Sequence, residues 1–278
     1  MTREPFGARL AAATAQRGAL CVGIDPHPGL LDAWGLPRTA DGLERFALTV
    51  VEALAGTVAV LKPQSAFFEA YGSRGIAVLE RVLADGAAAG ALMLLDAKRG
   101  DIGSTMSAYA AAYLTDSSPL AADAVTLSPY LGFGSLQPAL AAAAASGRGV
   151  FVLARTSNPE GPQVQRAVGA GGLSVAQQIA DNAAALNAGA APLGSVGLVV
   201  GATLPDLDVD LSDLNGPVLA PGFGAQGGTV ADLRRLFGPE LPGVLPTTSR
   251  EVLMAGPDAR GLAEAARRQL DALVGAGA

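Results

Sequence analysis

The sequence predicts an α/β chain folded as a (β/α)8 TIM barrel, a single domain over residues 1–278 with an additional N-terminal helix. Three observations lead there. Eight short apolar runs alternate with longer, Ala/Leu-rich segments from one end of the chain to the other. The runs are almost continuously apolar, as strands become when helices cover both faces of a parallel sheet. Polar residues then end these runs one after another, at the rim where barrel active sites assemble from separate strands. A length of 278 residues, with 50% hydrophobic residues, is high for one average domain yet normal for such a barrel. A doubly wound open sheet shares the alternation, and strand order alone separates the two.

In order, a helix over 5–17 opens the chain and covers part of the barrel. ALCVGID at 19–25 is the first strand and ends at Asp25. Its Cys21 is the only cysteine, which excludes an internal disulfide framework, fits a reducing compartment and reads as an inert core thiol. A helix over 40–55 leads to TVAVLK at 57–62, ending at Lys62, and a helix over 73–89 leads to ALMLLD at 91–96, ending at Asp96. A helix over 105–115 precedes DAVTLS at 123–128, and one over 135–146 precedes GVFVLA at 149–154, with Thr156 just beyond it. A helix over 163–188 is followed by SVGLVVG at 195–201, and a helix over 206–212 by PVLAP at 217–221, ending at Pro221. Helices over 228–237 and 257–273 flank the last strand, GVLPTT at 243–248, which ends at Thr248.

A net charge of −6 and a pI near 4.8 argue against nucleic acid as a partner, although a local basic cluster can still take a small anionic ligand. Arg3, Glu4, Arg9 and Arg17 interrupt the stretch where a secretory signal needs an apolar core. The charge-free run from Asn182 to Pro205 is long enough to raise a membrane span, but Asn187, Gly189, Pro192, Gly194 and Gly197 divide it into a helix end, a turn and a strand. A cytoplasmic protein without membrane contact is the expectation.

Of nineteen lysines and arginines only two are lysine, Lys62 and Lys98, and both stand where an apolar strand runs out. Arginine serves the ordinary surface, so a lysine retained beside carboxylates points to an ammonium able to give up its proton, which a guanidinium does not. Strand parity puts Asp96 and Lys98 on one side of the backbone with Ala97 opposite. Gly100 then permits a turn, Asp101 enters the loop, and Ser104 or Thr105 is placed to cap the next helix. An ion pair with a cap at a strand–helix junction explains Asp101 but not Lys62 or Asp25. Alternating carboxylates and ammoniums favour one another's ionised forms, which predicts a protonated Lys98 suited to proton donation rather than to nucleophilic attack.

APGFGAQGG at 220–228 lies at a strand-to-helix transition, where glycines such as Gly224 and Gly227 let backbone N–H groups converge on an anion and Gln226 adds side-chain donors. The next strand ends in TTSRE, which brings Arg250 to the neighbouring rim position. A phosphate site after strands seven and eight is the expected barrel geometry, and Arg250 supplies a rigid fork for it. The glycine pattern fits neither a dinucleotide fingerprint nor a nucleotide-triphosphate loop. His27 is the only histidine, which leaves no polyhistidine metal site and reads as a loop residue.

DAKRGDIGSTMSAYA at 96–110 closely resembles the signature of the orotidine 5′-phosphate decarboxylases, in particular their longer bacterial class. GIDPHPGLL at 23–31, VLKPQSAFFE at 60–69, LARTSNPE at 153–160, APGFGAQGG and TTSREVL at 247–253 resemble the same family in the expected order. The resemblance implies decarboxylation of orotidine 5′-monophosphate to uridine 5′-monophosphate with no metal and no organic cofactor. It implies a charged array of Lys62, Asp96, Lys98 and Asp101: Asp96 facing the substrate carboxylate, Lys98 stabilising charge at C6 and delivering the proton, Lys62 holding Asp96 and touching the ribose. It further implies ribose contact by Asp25, pyrimidine contact by Ser157, and a homodimer in which Asp101 and Thr105 reach the neighbouring subunit's site. The segment SPYLGFGS at 128–135 departs most from shorter family members, so Tyr130 and Phe133 receive no role. The alternatives are a metal-dependent phosphosugar lyase or synthase on the same barrel, a Schiff-base aldolase, and a nucleotide-binding barrel without turnover.

Overall fold

The computed structural model of the chain describes residues 3–238 and 243–275. Its strands are β1 (Cys21–Ile24), β2 (Val60–Pro63), β3 (Leu92–Arg99), β4 (Ala124–Leu127), β5 (Gly149–Arg155), β6 (Val196–Val200), β7 (Val218–Pro221) and β8 (Val244–Thr248). All pair in parallel in chain order, and β8 returns to β1 through Cys21 opposite Thr247 and Val22 opposite Thr248. The sheet is therefore a closed barrel, not a doubly wound open sheet.

Strand parity sorts the apolar residues into two layers. Cys21, Val60, Leu94, Phe151, Val199, Leu219 and Leu245 fill the barrel interior, while Val22, Leu61, Leu95, Val125, Val152, Leu198 and Val218 pack outward under the helices. With both faces buried, each strand reads as continuously apolar. Helix Phe6–Arg17 closes the N-terminal mouth: Phe6, Leu10 and Ala13 join the interior cluster, and the Phe6 ring meets Phe151 edge-on at 5.9 Å and 84°. Gly149 makes room for that ring, because a Cβ there would lie 2.3 Å from it. The opposite mouth is left to polar side chains.

Two predicted helices differ from what forms. The 163–188 segment is two helices, Pro162–Gln165 and Val175–Asn187. Gly169, Gly171 and Gly172 interrupt it, and Ser174 starts the second helix by accepting a hydrogen bond from Gln177 N at 3.1 Å. The 206–212 segment forms no helix. In LPDLDVDLSD, apolar and acidic residues alternate with period two. Leu207, Val209 and Leu211 therefore turn inward together, while Asp208 pairs with Arg155 at 2.8 Å and with Arg166. Asp210 makes a local turn by accepting from Ser212 N at 2.9 Å. Among the described residues no helix is long and apolar enough to cross a membrane.

Candidate active site

The charged centre sits at the end of β3, where the sheet is irregular. Leu95 pairs with Val125 and Arg99 with Leu127, so Asp96, Ala97 and Lys98 together stand opposite the single residue Thr126. Such a bulge bends the strand and re-aims side chains. Lys98 adopts φ +48°, a region a lysine enters only when its surroundings hold it there. Ala97 packs outward, as strand parity predicts, while Asp96 and Lys98 face the barrel mouth.

Asp96 gathers four partners. Lys62 Nζ donates to Oδ2 at 2.9 Å, and Lys98 Nζ and Thr126 Oγ1 donate to Oδ1 at 2.6 Å and 2.8 Å. The Gln64 amide, oriented with its nitrogen toward Asp96, donates to Oδ2 at 3.2 Å. Lys62 and Asp96 are 5% and 8% exposed, so this is a pair almost withdrawn from water. Burial opposes the charge on Asp96, but Lys62 and Lys98 outweigh it and hold the carboxyl well below its usual range. Burial likewise opposes the Lys62 ammonium, and Asp96 and Asp25 outweigh it and hold Lys62 above the usual lysine value. Asp25 lies just past β1, and its buried Oδ1 has no hydrogen-bond partner among the described residues. Gly23 leaves space for it, since a Cβ there would lie 2.9 Å from Asp25 Oδ2.

These groups line a cavity of about 260 Å3 at the C-terminal mouth. Asp25, Lys62, Asp96, Lys98, Pro221, Gln226 and Arg250 of the predicted set all face it, although they come from five different strand ends. A larger cavity, about 870 Å3, lies at the N-terminal end between Leu10, Leu193 and Val209, and among the described residues Asp210 is its only charged wall residue. The charged groups gather at the smaller one.

Across the mouth from the charged centre, the loop after β7 carries Gly222, Gly224 and Gly227 at φ +105°, +81° and +95°. Gly224 N donates to Gly228 O at 2.9 Å, and Gly227 N donates to Gly224 O at 2.7 Å. Both amides are thus spent inside the loop, and neither glycine lines the cavity; they contribute the turn rather than donors. Ala225 and Gln226 line the cavity instead, and their amides have no partner among the described residues. The following helix, Val230–Phe237, is fixed by a capping box in which Thr229 Oγ1 accepts from Asp232 N at 3.1 Å and Asp232 Oδ2 from Thr229 N at 3.0 Å. Arg250 opens the short helix Arg250–Leu253 after β8, exposed at the same cavity.

Besides Gly224 and Gly227, three predicted residues stand apart from this cavity. Asp101 lies in the loop after β3, where its Oδ1 accepts from Ile102 N at 2.8 Å. Thr105 is exposed on helix Gly103–Leu114, which begins too early for Ser104 or Thr105 to cap it. Ser157 is exposed beside Gly201, and its neighbour Thr156 lines the cavity in its place. Residues that sequence reasoning did not single out are Gln64 and Thr126, which bind Asp96, and Thr247 at the end of β8, whereas its neighbour Thr248, read as a rim residue, does line the cavity. Thr126 was detectable in part: with Ser128 it is a polar member of the interior-facing parity in DAVTLS. Among the described residues no group of three or more His, Cys, Asp or Glu side chains could hold a metal ion.

The sequence is 65% identical over 267 residues to "Orotidine 5′-phosphate decarboxylase" of Salinispora arenicola, covering 96% of each chain. It is 60% identical over 265 residues to the protein of the same name from Streptomyces coelicolor, covering 95% of each. A crystal structure from Streptomyces avermitilis, provisionally assigned to the same activity, superposes with a TM-score of 0.97 at 59% identity, over 100% of this chain and 97% of that one. The sequence model of the orotidine 5′-phosphate decarboxylase / HUMPS family matches residues 18–265, and the chain belongs to that family.

Proposed function

We propose that the chain decarboxylates orotidine 5′-monophosphate to uridine 5′-monophosphate and CO2, without metal or organic cofactor, as one barrel domain acting in the cytoplasm as a homodimer. The observation that carries this reading is the Lys62–Asp96–Lys98 array, a buried carboxylate between two ammoniums on the wall of the rim cavity. Relatives of 60–65% identity named for this activity support it.

The phosphate binds at the Ala225 and Gln226 amides and the Arg250 fork, with Gly224 and Gly227 shaping the loop. Asp25 and Lys62 take the ribose, while Pro221 and the Thr156–Ser157 turn bound the pyrimidine. Asp96 then faces the C6 carboxylate. As the C6–carboxylate bond breaks, its electron pair stays on C6 and CO2 leaves. Lys98 stabilises that charge more in the transition state than in the ground state, and transfers a proton to C6. Solvent returns the proton to Lys98, so one proton is consumed per turnover. Like-charge approach of Asp96 to the substrate carboxylate adds ground-state destabilisation. Asp101 and Thr105 complete the site of the neighbouring subunit, which accounts for their position outside the cavity of their own chain.

The test is an ultraviolet assay of orotidine 5′-monophosphate loss in chelator. Turnover there supports the decarboxylase. Activity only with added divalent metal would replace it with a phosphosugar lyase, and tight nucleotide binding without turnover would leave a binding protein.

A further inference from the structure

We infer that Thr126 is a positioning residue for the proton transfer: its buried hydroxyl holds the Asp96 carboxylate and the Lys98 backbone in the arrangement that aims the Lys98 ammonium into the cavity. The inference rests on the decarboxylase reading and deepens it. Regular pairing between β3 and β4 is lost where Asp96, Ala97 and Lys98 oppose Thr126 alone. The Lys98 amide therefore has no ladder carbonyl to meet, and it donates instead to Thr126 Oγ1 at 2.9 Å. The single hydroxyl proton points the other way, to Asp96 Oδ1 at 2.8 Å, the same oxygen that accepts from Lys98 Nζ. Thr126 is 1% exposed, so water does not compete for either bond.

One hydroxyl thus ties both ends of the Lys98 side chain's setting: the backbone from which it springs and the carboxylate it grips. Lys98 stands at φ +48°, and a residue in that region needs surrounding bonds that over-determine it. Valine has the shape of threonine but can neither accept from the Lys98 amide nor donate to Asp96. With that substitution Asp96 keeps Lys62, the cavity keeps its phosphate and ribose groups, and Lys98 loses its fixed direction. A hydroxyl that only stabilised the fold would give a different pattern.

The experiment compares Thr126→Val and Thr126→Ser with the wild-type chain, measuring kcat and KM for orotidine 5′-monophosphate and titrating uridine 5′-monophosphate by calorimetry. Loss of a hydrogen bond to a charged group predicts a kcat lower by roughly 10- to 100-fold in Thr126→Val. KM, product affinity and full binding stoichiometry stay within about threefold of wild type, the mark of an interaction used in the transition state. Thr126→Ser, which keeps the hydroxyl, recovers kcat to within about threefold on the same reasoning. Should Thr126→Val not fold, the serine and alanine variants give the same comparison of hydroxyl present and absent. Wild-type kcat in the variant lacking the hydroxyl, a serine variant as slow as that variant, or a loss of kcat matched by lost binding stoichiometry would each overturn the inference alone. A wild-type chain with no turnover would sink the decarboxylase reading and this inference together.

Discussion

Replacing Lys98 by alanine removes the group to which proton delivery is assigned while leaving the fold nearly untouched, and the structure lets both effects be sized. The Lys98 side chain is 44% exposed, and its pair with Asp96 spans 2.6 Å. A pair so open to water contributes only about 0.2–1 kcal/mol to folding. Asp96 keeps Lys62 at 2.9 Å and Thr126 at 2.8 Å, so no buried charge is left alone. Catalysis responds on another scale. Loss of a general acid costs about 10²–10⁴-fold, and loss of an electrostatic contact to developing charge about 10²–10³-fold. The two act through one ammonium and do not simply multiply, so kcat should fall by at least about 10³-fold, roughly 4 kcal/mol. Lys98→Arg should be almost as slow, because its charge is retained but its proton is not available at neutral pH. The assay is ultraviolet loss of orotidine 5′-monophosphate, with protein from a host that lacks its own decarboxylase. Urea unfolding and product binding run in parallel as controls. A kcat within tenfold of wild type in Lys98→Ala would refute the assignment.

Lys62→Met breaks the pair that is nearly dry on both sides, at 6% and 9% side-chain exposure, while Asp96 keeps Lys98 and Thr126, and should cost about 1–3 kcal/mol in urea unfolding; a loss below about 0.5 kcal/mol would contradict that account. Arg250→Ala should raise KM for orotidine 5′-monophosphate but leave the unphosphorylated nucleoside unaffected, and equal penalties for the two would exclude the phosphate role. Mixing Lys98→Ala with Asp101→Ala subunits should restore up to about half of wild-type activity per mixed dimer, since one site then carries neither lesion; confirmed heterodimers without recovery would remove Asp101 from the neighbouring site. Asp96, held low against its burial by Lys62 and Lys98, contributes stability that is complete above about pH 3.9 and is lost as pH falls toward its folded value. Burial pushes the Cys21 thiol up to about 12, so its contribution is complete below about pH 8.5 and lost between there and about 12. Urea midpoints measured against pH should therefore slope down on both sides of that window, and an Asp96→Asn chain with an unchanged acid limb would remove Asp96 as the cause.

Legibility differed from element to element for physical reasons. ALMLLD reads as a strand because its interior residues, Leu92 and Leu94, and its outward ones, Met93 and Leu95, are all buried. In LPDLDVDLSD the period of two already argues against a helix, but the partner that holds the segment does not show in it, because the buried arginine that recruits Asp208 lies fifty-three residues away. The turn after β7 was readable from its glycines. Which amides remain for an anion was not, because that depends on hydrogen bonds closing between Gly222, Gly224 and Gly228.

By itself the sequence determined the alternation of strands and helices, the parity that sends Asp96 and Lys98 to one face, and the pairing of a glycine loop with Arg250. These are local consequences of side-chain period and backbone freedom, and family resemblance added their chemistry. Tertiary structure alone decided that the sheet closes, through β8 against β1, and that Lys62 and Asp96, thirty-four residues apart, meet at 2.9 Å. It alone put Thr126 against the bulge. Closure and register arise from contacts between distant strands, and a hydroxyl gains its role only when a neighbouring strand leaves an amide and a carboxylate within its reach.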